Sequence, residues 1–289
     1  MKIPVKKLAN GFAMPVFGLG TWMMGGDKFR NPQNDDKENI KNIKFAIENG
    51  ITHIDTAENY AEGYAEKIVG KAAKGFDRKK LFITSKVDKR NLRFNDLLKS
   101  AKGSLERLKT DYLDLYLIHA PNLEIPLPES MKAMDKLKKE GFIKNIGVSN
   151  FKKERLQEAQ SYTKNKIIVN QVYYNLIIRE PEKTDLLTYC QENDVILTAY
   201  RPLDRGMLIT SSIKVLEKMA KKYEKTPAQI VLNWLISQKN VITISKMNSE
   251  KHILDNLGTV GWEMEKSDIE LLRREFPGQK DRSEILPLV

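Results

Sequence analysis

Eight short apolar runs, VFGLG, THIDT, LFITSKV, LDLYLIH, NIGVSN, IIVNQV, VILTAY and VITISK, recur along the chain and alternate with longer amphipathic stretches. Each is of strand length, and several are apolar at odd and even positions alike, the pattern of strands covered on both faces. Between them, DKENIKNIKFAIENG, FNDLLKSAKGSLERLK, ESMKAMDKLKKEG and TPAQIVLNWLISQ carry apolar residues at helical spacing; the last opens with Thr226 as N-cap and Pro227 at the first helical position. Ahead of the first run, KKLAN and FAMPV meet at Asn10-Gly11, a hairpin signal. The alternation predicts a (β/α)8 TIM barrel with an N-terminal β-hairpin rather than an open doubly wound sheet. One interval deviates: between VILTAY and VITISK, the helical stretch TSSIKVLEKMAKKYEK precedes TPAQIVLNWLISQ. No linker or low-complexity segment interrupts the pattern, so residues 1–289 are expected to form a single domain, a length common for this fold.

Composition narrows the function classes. With 41% hydrophobic and 30% charged residues the chain reads as a soluble globule with a large core. Lys and Arg number 49 against 38 Asp and Glu, a net +11 that brings polyanions into view. The lysines are dispersed, however: Lys71, Lys74, Lys99, Lys102, Lys136, Lys138, Lys139, Lys221 and Lys222 fall in the predicted helices at spacings of solvated faces, and no basic tract is interleaved with aromatics. Nucleic acid is therefore not an expected partner. A lone cysteine, Cys190, excludes an intrachain disulfide and sits in the helical pattern TDLLTYCQEND as a buried inert thiol. No apolar run approaches ~18 residues, and MKIPVKKLANGF lacks a signal-peptide core, so no membrane partner is expected and the location is expected to be cytoplasmic.

The stretch HIDTAENYAEG loads the end of an apolar run with groups that are costly to bury unpaired. A barrel answers this, because the C-terminal ends of its strands open onto one functional face. Asp55 ends the second run, Tyr60 lies in the loop behind it, Lys86 ends the third and His119 the fourth. A phenol ionises near ~10, too high for proton traffic at neutral pH unless a cation stabilises the phenolate. Lys86 can supply that cation, Asp55 can hold the Lys86 ammonium, and His119 can direct an N–H at a substrate oxygen beside Tyr60. Singly, these residues read otherwise: Asp55 as a helix cap, Tyr60 as a wall, Lys86 as a loop charge, His119 as a satisfied buried ring. Their placement at successive strand ends favours a proton-delivery site for a carbonyl oxygen, with no metal. A metal-dependent hydrolase built on His53, Asp55 and His119 fits less well, since the chain has only three histidines in all.

These residues also carry a family resemblance. GITHIDTAENYAEGYAEKIVG resembles the first signature of the aldo-keto reductases at Gly50, Asp55, Thr56, Ala57, Tyr60 and Glu66, and the likeness extends over essentially the whole chain. It implies catalysis by Asp55, Tyr60, Lys86 and His119, and reversible reduction of a small-molecule aldehyde or ketone with hydride from a nicotinamide. GVSNF resembles the motif that holds the nicotinamide carboxamide, implicating Ser149 and Asn150, with Gln171 completing the contact. Tyr200 matches the tyrosine that stacks on the nicotinamide. GLGTW implies that Thr21 approaches the cofactor, which Asp55 also lines, and that Trp22 walls a substrate pocket shared with Tyr60, His119 and the segment EILPLV.

Two positions depart from the family pattern. Arg201 stands where a serine commonly follows the stacking tyrosine, next to the cofactor path, as a partner for the pyrophosphate or for a substrate anion. His252 stands where NADPH-preferring members commonly have arginine, while Lys246 remains for the 2′-phosphate and Asn256 for the adenine. Loss of a bidentate guanidinium grip implies a modest preference for NADPH, with NADH possible. A monomer is expected. The alternative function is a nicotinamide-binding regulatory or redox-sensing subunit on the same fold, distinguished by the absence of turnover.

Overall fold

A computed structural model describes residues 3–210 and 212–289; Met1 and Lys2 of the N-terminal segment, and Ser211 within the stretch Thr210 to Lys225, lie outside the described residues. Strands β1 (Val5–Lys7) and β2 (Ala13–Pro15) form the hairpin, paired antiparallel with Lys7 opposite Ala13. Its turn is set by Gly11 at φ 85°, a left-handed conformation that glycine adopts without a Cβ clash.

All eight apolar runs become strands: β3 (Phe17–Gly20), β4 (His53–Asp55), β5 (Phe82–Val87), β6 (Leu115–Ile118), β7 (Ile146–Ser149), β8 (Ile167–Tyr173), β9 (Ile196–Tyr200) and β10 (Val241–Ser245). They pair in parallel and close, β10 onto β3, into one barrel. Helices stand outside between them, including Asp36–Glu48, Tyr64–Ala73, Phe94–Leu108, Leu127–Lys139 and Pro227–Ile236. The last begins with a capping box, in which the Thr226 hydroxyl and the Gln229 side chain satisfy each other's backbone N–H groups. The doubled helical interval is present as Lys214–Tyr223 followed by Pro227–Ile236.

Period-two alternation decides which side chains reach the barrel interior. On β5, Thr84 and Lys86 meet the inward residues of β4, His53 and Asp55, whereas Ser85 points out and donates to Glu66 of helix Tyr64–Ala73. Arg107 donates to the other Glu66 oxygen, so this buried carboxylate ties two helices to the back of β5. Where those helices cross, Gly70 lets the backbones touch; a Cβ there would lie 2.7 Å from the Leu108 carbonyl oxygen. Deeper in the barrel, His53 sits against Gly18, where an added Cβ would stand 2.4 Å from Nδ1. A register shift at Ile146/Gly147 between β7 and β8 brings Ser149 opposite Gln171 at the mouth.

Candidate active site

The floor of the mouth is built around one buried ion pair. Lys86 Nζ donates to Asp55 Oδ1 at 2.5 Å, to the Thr56 carbonyl at 2.8 Å and to the Tyr60 hydroxyl at 3.3 Å. Asp55 and Lys86 are almost wholly buried, while Tyr60 and His119 are partly open. Tyr60 begins a short 3-10 turn, Tyr60–Gly63, and its ring meets His119 edge-on at 5.6 Å. The structure thus brings Asp55, Lys86 and His119 from the strand ends and Tyr60 from the loop into one contact group.

Burial and charge set the proton inventory. Burial works against the Lys86 ammonium, but Asp55 and Tyr60 outweigh it and raise its pKa, so it stays charged. For Tyr60 the order is reversed: burial raises the phenol, and the opposing pull of Lys86 does not overcome it. The expectation that Lys86 brings Tyr60 below its ordinary value therefore holds only for the direction of the pull, because burial outweighs it and the Asp55 charge adds to the rise. Tyr60 is a protonated donor at neutral pH. His119 is lowered to about 3, by burial and then by the Lys86 charge, and is a neutral imidazole whose N–H can direct an oxygen but carries no spare proton.

A second polar layer adjoins this group. Gln171 Nε2 donates to Asp55 Oδ2 at 2.8 Å, Ser149 Oγ donates to the Gln171 carbonyl, and Asn150 Nδ2 donates to the His119 carbonyl at 3.0 Å. Asn150 holds φ 63°, and the Tyr200 hydroxyl donates to its Oδ1 at 2.8 Å. Tyr173 packs against the partly buried Tyr200 ring, stacked at 5.7 Å and 19°. Thr21 donates its hydroxyl to the Asp55 carbonyl, which places the end of β3 against the same group.

Other residues are more widely placed. Lys246 follows β10 and is exposed, with partial burial lowering its pKa; His252 is exposed and Asn256 buried on helix Glu250–Leu257, whose N-cap is Ser249. None of these three touches the four-residue group. The segment EILPLV does reach the cradle: Val289 N donates to the Asn150 carbonyl and Lys152 N to the Val289 carbonyl, with Leu288 buried and Ile285 exposed. Cys190 is buried, its thiol pushed up to about 12 by burial. His53 lies one layer beneath Asp55, its Nε2 3.3 Å from the Thr84 hydroxyl.

Three features were not read from the sequence: the bond from Gln171 to Asp55, the docking of Val289 on Asn150, and Arg205, which stands beside Arg201 over the Trp22 ring. Only the last had a local signal, a second arginine in RPLDRG.

Comparison with known proteins settles the family. The profile of the aldo/keto reductase family matches residues 16–274. This chain belongs to the aldo/keto reductase family. It is an oxidoreductase of that fold. Among its relatives, the methylglyoxal reductase YeaE of Escherichia coli (strain K12) is 36% identical over 281 residues, covering 96% of each chain. The glyoxal reductase of Bacillus subtilis (strain 168) is 36% identical, covering 91% of this reductase and 90% of that protein. Among solved structures, the thermostable aldo-keto reductase Tm1743 in complex with epalrestat superposes with a TM-score of 0.91 at 43% identity, over 94% of this chain and 99% of the other. An aldo/keto reductase from Klebsiella pneumoniae in complex with NADP and acetate gives 0.86 at 33% identity, over 99% and 100%. Among the described residues of this reductase, no helix is long and apolar enough to cross a membrane.

Proposed function

We propose that this chain reduces an aldehyde or ketone to the alcohol, with NADPH as the preferred reductant and Tyr60 as the proton donor. The observation that carries the reading is the position of Lys86 Nζ, shared between the Asp55 carboxylate at 2.5 Å and the Tyr60 hydroxyl at 3.3 Å. Beside it, His119 is neutral and positioned to orient a carbonyl oxygen. A reduced nicotinamide, when bound, would supply the hydride for the carbonyl carbon. As charge builds on the carbonyl oxygen, the Tyr60 hydroxyl passes its proton to it, and the resulting phenolate is held by Lys86 until water reprotonates it. Asp55 keeps Lys86 charged and aimed at the phenol.

The cradle fits a nicotinamide. Gln171 uses its Nε2 on Asp55 and keeps its amide oxygen for a carboxamide, Ser149 and Asn150 adjoin it, and the partly buried Tyr200 ring offers a flat platform. Thr21 and Asp55 line the same floor. Lys246, with exposed His252 and with Asn256, is assigned to the adenosine 2′-phosphate end; one ammonium without a guanidinium partner supports a modest preference for NADPH over NADH. Trp22, Tyr60, His119 and the docked C-terminal segment are assigned to the substrate pocket. The buried reduced thiol of Cys190 suits a reducing compartment such as the cytoplasm.

The test is a panel of glyoxals, other aldehydes, ketones and sugars assayed with NADPH and NADH by nicotinamide absorbance. Turnover with NADPH, including glyoxal or methylglyoxal as for the named relatives, is the expected result. Tight nicotinamide binding with no turnover of any carbonyl would instead identify a binding subunit.

A further inference from the structure

The loop after β9 holds three non-glycine residues in left-handed backbone: Arg201 at φ 52°, Asp204 at φ 46° and Arg205 at φ 59°. Such conformations are unfavourable for side chains with a Cβ, so their concentration in one short loop points to a functional placement. They set charge on aromatic faces. The Arg201 guanidinium carbon lies 5.1 Å from the centre of the Trp22 ring and 5.4 Å from that of Tyr173, and the Arg205 guanidinium carbon lies 5.1 Å from the same Trp22 ring. The loop's own carboxylate, Asp204, is engaged by the Tyr173 hydroxyl. Among the described residues, neither Arg201 nor Arg205 forms an ion pair. Arg201 is half-buried and Arg205 exposed, so both are accessible from the mouth.

A guanidinium over an indole face keeps N–H groups for contact with an oxyanion, and Arg201 retains several beyond the one it shares with the Tyr173 hydroxyl. Two such cations gathered at one ring repel each other until an anion is shared. The charge also reaches the reacting centre: against the dominant effect of burial, Arg201 joins Lys86 in pulling on the Tyr60 phenol. Both arginines are therefore tied to the Trp22 side of the mouth, next to the proton donor.

We propose that Arg201 and Arg205 bind an oxyanion carried by the carbonyl substrate, so that the preferred substrates are aldehydes or ketones bearing a carboxylate or phosphate. This rests on the carbonyl-reductase reading and specifies its substrate class. The cofactor's diphosphate offers similar oxyanions, and the experiment separates the two sources.

The probes are 4-formylbenzoate and its neutral methyl ester, compared by kcat/KM with NADPH in the wild type, Arg201→Met and Arg205→Met, alongside dissociation constants for NADPH and NADH. The wild type is expected to favour the anion over the ester about ten-fold or more, less so at high salt, and each variant to reduce that ratio about ten-fold. A wild-type ratio near one, with brisk reduction of the ester, overturns the anion site while leaving carbonyl reduction intact. An unchanged ratio with both nucleotides weakened equally overturns it in favour of the diphosphate. Should neither aldehyde be reduced, the reductase reading fails separately, and calorimetric binding of terephthalate to the NADP⁺ complex decides the anion site: weaker binding in Arg205→Met supports it, equal binding overturns it.

Discussion

Gln171 Nε2 donates to Asp55 Oδ2 at 2.8 Å while the other oxygen of Asp55 holds Lys86, so the proposed nicotinamide cradle and the proposed proton-delivery group share one carboxylate. Removing the Gln171 amide leaves that buried oxygen without its donor, a loss typically of ~1–3 kcal/mol. Gln171→Leu is therefore expected to weaken NADPH binding and lower turnover together, each by about ten-fold. Binding weakened with turnover of the loaded enzyme intact would show that the two layers act independently.

Lys86→Met removes the pull that keeps the Tyr60 phenol from rising further. Tyr60 already lies above its ordinary value through burial, and without Lys86 it rises more. With Tyr60 as the proposed proton donor, carbonyl reduction needs the protonated phenol, so its alkaline limb is expected to move to higher pH while the rate falls by ~10²–10⁴-fold. Alcohol oxidation, which needs the phenolate, should suffer more. A pH profile of kcat/KM that keeps its alkaline limb would detach Lys86 from Tyr60.

His119 is neutral down to about pH 3, so its assigned contribution is orientation of the carbonyl oxygen. His119→Ala is expected to depress turnover of unreactive ketones at least ten times more than that of activated glyoxals. Steady-state rates on one compound of each kind suffice; equal losses would point to a purely structural imidazole.

Buried His53 is likewise lowered to about 3 from 6.5, by burial and then by Lys86. With the folded value below the unfolded one, its stabilising contribution is complete above pH 6.5 and is lost as pH falls toward 3, at about 1.4 kcal/mol per pH unit. Guanidinium unfolding at pH 7 and pH 5 should show a smaller acid loss in His53→Gln than in the wild type, by roughly 2 kcal/mol. The same acid loss in both would place the sensitivity elsewhere.

The barrel and the four-residue group were legible because each depends on local pattern: strand runs announce themselves by apolarity, and a strand-end residue in a closed parallel barrel has only one face to occupy. Asp55, Lys86 and His119 needed nothing more. The Gln171–Asp55 bond joins residues 116 positions apart, and no local spacing announces it. Tyr60 illustrates a different limit. Its partner was evident, but the direction of its pKa depends on the balance of burial against a paired cation, which only coordinates supply. Arg205 was hidden by loop conformation, since left-handed backbone at Arg201 and Arg205 is uncommon for arginine.

The most direct measurement is single-turnover carbonyl reduction by Tyr60→Phe, with nicotinamide affinity followed by fluorescence quenching in the same preparation. The substitution keeps the ring beside His119 and removes only the hydroxyl that Lys86 holds. The chemical step is expected to slow by ~10²–10⁴-fold, with nicotinamide binding within about three-fold of the wild type. Retention of more than about a tenth of the wild-type rate would contradict Tyr60 as the proton donor.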